Sequence, residues 1–284
     1  MVGYVILHYQ NENVSKQCIS SLLASSKESP IVVVDNASPN GSGKRLQSYY
    51  AAEKRIVVLL NEANLGFAKG NNVGFAYLKK HFNPDYIVVL NNDVIITDLN
   101  FENVLTTFMQ QNNLDVCGPD ILTPTGKHQN PLLPATPSTH KLIVQMLADE
   151  VRMLLLKMGI LQKQILAFYN RSSASHHKVQ VTENVSGSGV LHGACIAYSK
   201  RYLQSANFAF LPLTFLYAEE FLLADYLHHR HFSSGICTAT SVKHLGGVST
   251  ATELSDKQKL IFKTHQMNKS LCIVLWQRLK YICK

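Results

Sequence analysis

YIVVLNNDVIIT, residues 86–97, is the stretch that decides how this chain folds. Residues 86–90 are apolar or aromatic and rich in β-branched types, the composition of a strand buried on both faces of a parallel sheet. Asn91, Asn92 and Asp93 then place two amides and a carboxylate where that strand should end, and residues 94–96 resume the apolar run. In open α/β sheets ligands collect at the carboxyl ends of strands, so a polar cluster there is a candidate site. Its oxygen donors suit a hard divalent cation such as Mg²⁺ or Mn²⁺ shared with a diphosphate. Taken alone, Asn-Asn-Asp reads equally well as a turn ending a strand. The segments on either side decide between the two.

On both sides strand-like runs alternate with helical ones, the pattern of successive βαβ units. Residues 2–8, 31–34 and 56–60 read as the three strands before 86–90, and 116–122 as one after it. Helical spacing occupies 14–23, 44–52, 71–81 and 101–111, with residues 61–69 as a loop before the third helix. The rhythm breaks at residues 123–182. Pro124, Pro131, Pro134 and Pro137 mark a loop, and 141–168 is rich in leucine and methionine, with Lys141, Gln145, Asp149 and Arg152 along one face. It reads as an amphipathic helix or helical pair broken at Gly159, able to line an acceptor site, touch lipid or form a homodimer. Beyond it, 190–198 reads as a strand, 215–230 as a helix and 235–242 as a final strand.

A length of 284 residues, with 46% hydrophobic and 16% charged residues, is that of a globular chain with a full core. Six scattered cysteines without a CxxC pair suggest neither a zinc site nor a disulfide scaffold, and point to a reducing compartment. The opening MVGYVILHYQ reads as a first strand rather than a signal peptide, and no apolar run approaches the ~20 residues of a membrane span. The net charge of +8 is concentrated at the end: residues 257–284 hold seven Lys/Arg and no Asp/Glu. With the apolar run 271–276 inside it, that tail fits an anionic membrane surface better than nucleic acid. The competing reading is a helix that packs Leu271, Val274 and Leu275 on the core and leaves its lysines in water.

Further candidates follow the strand ends. Asp35 closes the second strand, where a carboxylate would accept the imide N–H of a pyrimidine base. Asn64-Leu65-Gly66-Phe67-Ala68-Lys69-Gly70-Asn71-Asn72 carries two glycines, allowing close backbone approach to a phosphate or sugar. It is neither a GxGxxG nor a GKS/T loop, which argues against dinucleotide and P-loop readings. Glu219 and Glu220 are adjacent acids opening a helix, either ordinary helix-start acids or a pair whose repulsion raises one pKa toward general-base use. His244 follows the last strand and precedes Gly246-Gly247, a good place for a metal ligand.

The order of these segments, VVVDNAS, NLGFAKGNN, LNND, YAEE and HLGG, resembles family-two glycosyltransferases of the GT-A fold. More narrowly it is similar to the nonprocessive, rhamnosyltransferase-like branch that builds bacterial surface polysaccharides. The resemblance covers 2–122 well and 186–250 in patches. It implies a mostly parallel α/β sheet flanked by helices, divided into a nucleotide-sugar-binding half (1–122), a helical insert (123–182), an acceptor and catalytic half (183–255) and a basic amphipathic tail (256–284). By the same resemblance Tyr9 and Asp35 hold the base, while Asn64, Gly66, Asn71, Asn91 and Asn92 line the nucleotide and sugar. Asp93 and His244 hold a divalent metal (Mg or Mn), His192, Gly193 and Ala194 face the acceptor, Glu220 is the base and Glu219 its supporting acid. Asn91 stands where the family has an Asp, and Glu220 is one methylene longer than the usual second acid. The implied activity is inverting transfer of rhamnose or another hexose from a dTDP- or UDP-sugar to a saccharide or lipid-linked saccharide. It would take place peripherally at the cytoplasmic face of the cell membrane. A non-catalytic nucleotide-sugar or saccharide-binding module and a sugar nucleotidyltransferase are the alternatives on the same fold.

Overall fold

A computed structural model describes residues 1–167, 189–246 and 255–283. Its eight strands are β1 (Val2–His8), β2 (Ile31–Asp35), β3 (Ile56–Leu60), β4 (Tyr86–Asn91), β5 (Val94–Ile96), β6 (Val116–Leu122), β7 (Cys195–Ser199) and β8 (Ser234–His244). They form one sheet in the order β3-β2-β1-β4-β7-β6-β8-β5, in which all but β7 and β5 run the same way. The helices are α1 (Glu12–Ser25), α2 (Ser42–Tyr49), α3 (Gly66–His81), α4 (Phe101–Gln111), α5 (Thr139–Lys157), α6 (Lys200–Ser205), α7 (Glu219–His229) and α8 (Asp256–Ile282). The segments 1–122 and 189–246 share this one sheet, because β7 enters between β4 and β6.

Side chains alternate across each strand, and the two resulting faces bury different cores. Tyr4, Ile6, Val33, Val88 and Leu90 face α1, α2 and α4, where Ile19, Leu46 and Leu105 meet them. Val5, Val32, Val34, Ile87 and Val89 face α3, α6 and α7, where Phe75, Tyr202 and Leu223 pack. Truncating any of these buried residues to alanine removes ~2–5 kcal/mol of stability. A third, smaller cluster lies off the sheet and joins Leu142 of α5 to Leu222 of α7 and to Leu271 and Val274 of α8.

Three expectations change. Helix α3 begins at Gly66, inside the segment expected to be a loop, because the Phe67 N–H donates to the Phe215 carbonyl at 2.8 Å and ties the helix start to a distant part of the chain. The strand expected at 190–198 begins only at Cys195; Val190 instead makes an isolated bridge with Leu133. The helix expected from 215 begins at Glu219, after Tyr217 and Ala218 at φ 70° and 63°.

The tail is corrected in part. It is a single helix, entered by a capping box between Ser255 and Gln258, but Leu271 is only 1% exposed and belongs to the third cluster. Arg278 is also turned inward, pairing through two nitrogens with Asp225 at 2.6 and 3.2 Å and donating to the Pro137 carbonyl. Leu271 is therefore not available to lipid, whereas Trp276, Leu279 and Ile282 are exposed. Among the described residues no helix is long and apolar enough to cross a membrane. The six cysteines are all free.

Candidate active site

Asp93 lies in the tight turn between β4 and β5 and is 5% exposed. Strand β5 does not continue β4 but crosses to the far edge of the sheet and pairs antiparallel with β8, which sets Val94 opposite His244. The Leu245 N–H donates to the Asp93 carbonyl at 2.9 Å, and His244 Nε2 stands 3.3 Å from Asp93 Oδ1. On the other side of the ring, His244 Nδ1 is 2.9 Å from Gln129 Oε1. An amide oxygen only accepts, so the tautomer assigned from that bond puts the proton on Nδ1. The Nε2 lone pair then faces a carboxylate oxygen, an arrangement relieved by a cation or proton between them. Asp93 and His244 make a pair rather than a larger nest: among the described residues no group of three or more His, Cys, Asp or Glu converges.

Glu219 and Glu220 open α7 behind two consecutive left-handed residues, Tyr217 and Ala218, a backbone that costs ~1–3 kcal/mol per non-glycine position and tends to occur at functional sites. Glu219 is 3% exposed and accepts from Thr214 Oγ1 at 3.0 Å. Burial, and then the charge of Glu220, raise its pKa to about 8. Burial also raises the pKa of Glu220, opposed by backbone N–H groups including that of Gly193. Two buried carboxyls side by side disfavour double ionisation, so the pair holds one proton in common. Beside Glu220 opens a cavity of about 630 Å³ lined also by Leu191, Leu223, Asp225, His228 and Ser233.

Three successive residues join the two centres. The His192 ring meets the His244 ring edge-on at 5.4 Å. Gly193 lies so close to Glu220 that a Cβ there would meet Oε1 at 2.8 Å. The Ala194 carbonyl accepts from the Asn91 N–H at 2.9 Å. The expected acceptor-side segment therefore touches the strand-end cluster, the histidine and the acid pair at once.

The expected nucleotide side is more inward-looking. Tyr9 follows β1 and Asp35 ends β2, on strands paired with His8 opposite Asp35. The Asp35 carboxylate already accepts from Ser38, through its N–H and its hydroxyl, and Gly43 packs directly on it. Asn64 Oδ1 accepts from Asn36 and from the Gly66 N–H. Gly66, at φ 79°, sits where a Cβ would meet the Phe215 carbonyl oxygen at 2.2 Å, so its close approach is to the protein's own backbone. Asn71 is fully buried, with Nδ2 donating to the Phe67 carbonyl and Oδ1 without a partner among the described residues. Asn92 is turned inward, its Nδ2 donating to Ser15 Oγ at 2.9 Å.

That bond belongs to a network the sequence reading missed. His8, fully buried, contacts Ser15 Oγ at 2.6 Å through Nδ1 and Ser42 Oγ at 2.8 Å through Nε2, with Asp35 Oδ1 3.9 Å away. The network ties the end of β1 to the Asn92 turn, and the one signal for it was a histidine closing an otherwise apolar strand. Gln129 and Asn130 were missed too. Gln129 orients His244, and fully buried Asn130 bonds the Pro119 carbonyl and the His192 N–H. Both lie in the proline-marked loop, where no periodicity distinguishes them.

The model of the family described as "Glycosyl transferase family 2" matches residues 4–167. The chain belongs to glycosyl transferase family 2. A curated relative, "Glycosyltransferase GlyG" of Streptococcus pneumoniae serotype 4, is 25% identical over 112 residues, covering 39% of this chain and 35% of the relative. The chain thus aligns to about a third of that protein's length. Among solved structures, S. aureus TarS 1–349 in complex with UDP is similar over 93% of this chain and 70% of that one, with a TM-score of 0.54 and 13% identity. The longer S. aureus TarS structure has the same score and identity, with 42% of its chain covered. The mostly parallel eight-stranded sheet flanked by helices is the GT-A glycosyltransferase fold expected from the family-two motifs.

Proposed function

We propose that this family-two chain transfers a sugar, rhamnose or another hexose, from a dTDP- or UDP-linked donor to a saccharide or lipid-linked saccharide with inversion, in building cell-surface polysaccharide. The observation that carries the reading is the single segment His192-Gly193-Ala194, which contacts His244, Glu220 and Asn91 together. A fold similar to that of S. aureus TarS in complex with UDP supports a nucleoside-diphosphate donor. Family membership favours transfer over the binding-module and nucleotidyltransferase alternatives.

The donor set of Asp93 and His244 fits a divalent cation: one hard carboxylate oxygen, one imidazole nitrogen whose partner nitrogen is held by Gln129, and a spacing of 3.3 Å. Ligands about 2.0–2.2 Å from one ion lie about 3 Å apart when adjacent. When bound, Mg or Mn supplies charge neutralisation for the leaving diphosphate. The chain's residues do the rest. Glu220 takes the proton of the acceptor hydroxyl as its oxygen bonds to the anomeric carbon and the bond to the diphosphate breaks. The Gly193 N–H favours the ionised form of that carboxylate against the effect of burial, and Glu219, its pKa raised to about 8, stands beside it. The cavity next to Glu220 receives the acceptor and holds its hydroxyl in line. Basic α8 keeps the enzyme peripherally on the anionic inner face of the cell membrane.

The test is incubation with a panel of dTDP- and UDP-sugars, with Mg²⁺ or Mn²⁺ and after exhaustive chelation, reading binding and donor hydrolysis. Binding of at least one such donor with cation-dependent hydrolysis is expected; failure to bind any donor overturns the reading.

A further inference from the structure

Helix α5 has two apolar faces. Leu142, Met153 and Leu156 point into the protein. Val144, Leu147, Val151, Leu154 and Met158, spaced three and four residues apart, form a stripe on the opposite side, each 51–63% exposed. Over this length the stripe runs about 20 Å along the helix, and Ile160 and Leu161, past Gly159, are exposed as well. Soluble surfaces scatter single apolar residues and rarely line them up in this way. The polar row of Lys141, Gln145 and Arg152 divides the two faces rather than forming the outer one, while Asp149 of that row is buried against Arg152 at 2.7 Å.

We infer that this outer face of α5 is the surface that enters an anionic lipid membrane. The choice of occupant rests on charge. Alongside α5 the structure packs α8, joined to it by Asn268 donating to Glu150 at 2.8 Å and to the Met146 carbonyl. Helix α8 carries Lys257, Lys259, Lys269 and Lys280 among its basic residues, with Asp256 as its acid. Helix α5 adds Lys141, Arg152 and Lys157, while its acids are engaged, Asp149 by Arg152 and Glu150 by Asn268. A second copy docked here would set this positive charge against itself, whereas anionic headgroups complement it. Trp276 of α8 is 52% exposed with Lys280 Nζ 3.3 Å from its ring centroid, an amphipathic ring and a cation side by side, as suits the headgroup level. The inference rests on the membrane part of the proposed function and is independent of its chemistry. It moves the inserting surface from the tail to α5.

The full chain is sedimented with vesicles of phosphatidylcholine alone and of phosphatidylcholine with phosphatidylglycerol, beside two double variants, Leu147→Glu/Leu154→Glu and Leu147→Ser/Leu154→Ser. Melting temperature and UDP binding check that the variants are folded. The wild type is expected to prefer phosphatidylglycerol vesicles, and both variants to lose about tenfold or more in apparent affinity with melting and UDP binding unchanged. The serine pair removes apolar surface without adding charge, so it isolates insertion from repulsion. Wild type that ignores phosphatidylglycerol vesicles overturns the membrane reading as a whole. Wild-type binding that both variants retain overturns this inference alone and leaves the lysines of α8 as the contact. A wild-type dimer in solution that the variants dissolve assigns the face to a second copy instead.

Discussion

Asp93 and Glu220 are carboxylates held by opposite kinds of local structure. Asp93 sits in a strand-end turn whose geometry is fixed by the β5–β8 ladder, and it faces an imidazole across 3.3 Å. Glu220 sits at a helix start behind two left-handed residues and faces another acid, with backbone N–H groups as its support. The first environment suits a carboxylate that binds a cation; the second suits a pair that shares a proton. What distinguishes their chemistry is therefore which elements the fold brings opposite each one, since the side chains differ by a single methylene.

The largest effect that would sharpen this contrast comes from Glu220→Gln, which keeps shape but removes the proton acceptor. Transfer should fall by ~10² or more with donor binding retained; steady-state rates and donor titration check it, and a larger loss in Glu219→Gln would reverse the assignment. Gln129→Ala should weaken the apparent cation affinity by ~10–100-fold, because His244 loses the group that fixes its ring. Activity against Mn²⁺ concentration reads this, and an unchanged half-saturation would make the Asp93–His244 pair structural. Gly193→Ala forces a methyl to within 2.8 Å of Glu220 Oε1 and should lower kcat about tenfold with donor affinity unchanged.

The smallest effect is on stability. Glu219 has a folded pKa of about 8, above its unfolded value, so the folded state binds the extra proton between the two. Its contribution is fully present below the unfolded carboxylate range and is lost as pH rises toward 8. Glu219→Gln should flatten that part of the profile, making the variant's melting temperature less pH-dependent than the wild type's between about pH 5 and 8. An identical slope in both proteins would mean that the acid is ionised in the fold.

Much of the sheet was legible from composition. Strands β3 and β6 and helix α4 match their expected limits, because each is a compact apolar run or a clean helical stripe with turn residues at both ends. Helix α3 was misjudged at its start because Gly66 and Gly70 read as loop residues, while their lack of a side chain is what lets the helix pack on Phe215 and Leu7. In the site, Asp93, His244 and Glu220 were legible as chemistry at element ends, and Gly193 only through the family resemblance. Gln129, Asn130 and Ser15 were not, since an amide or hydroxyl in a loop or helix looks the same whether it faces water or a functional side chain.

By itself the sequence determined which residues share a face and where strands give way to polar turns, since these follow from the two- and 3.6-residue periods of the backbone. Only the tertiary structure decided which face meets which partner. It carried β5 across to β8 and so brought His244 to Asp93, buried Leu271 of a tail that reads as lipid-seeking, and turned the second apolar stripe of α5 outward. Periodicity is local, whereas each of these outcomes depends on contacts between residues far apart in the chain or on the absence of such contacts among the described residues.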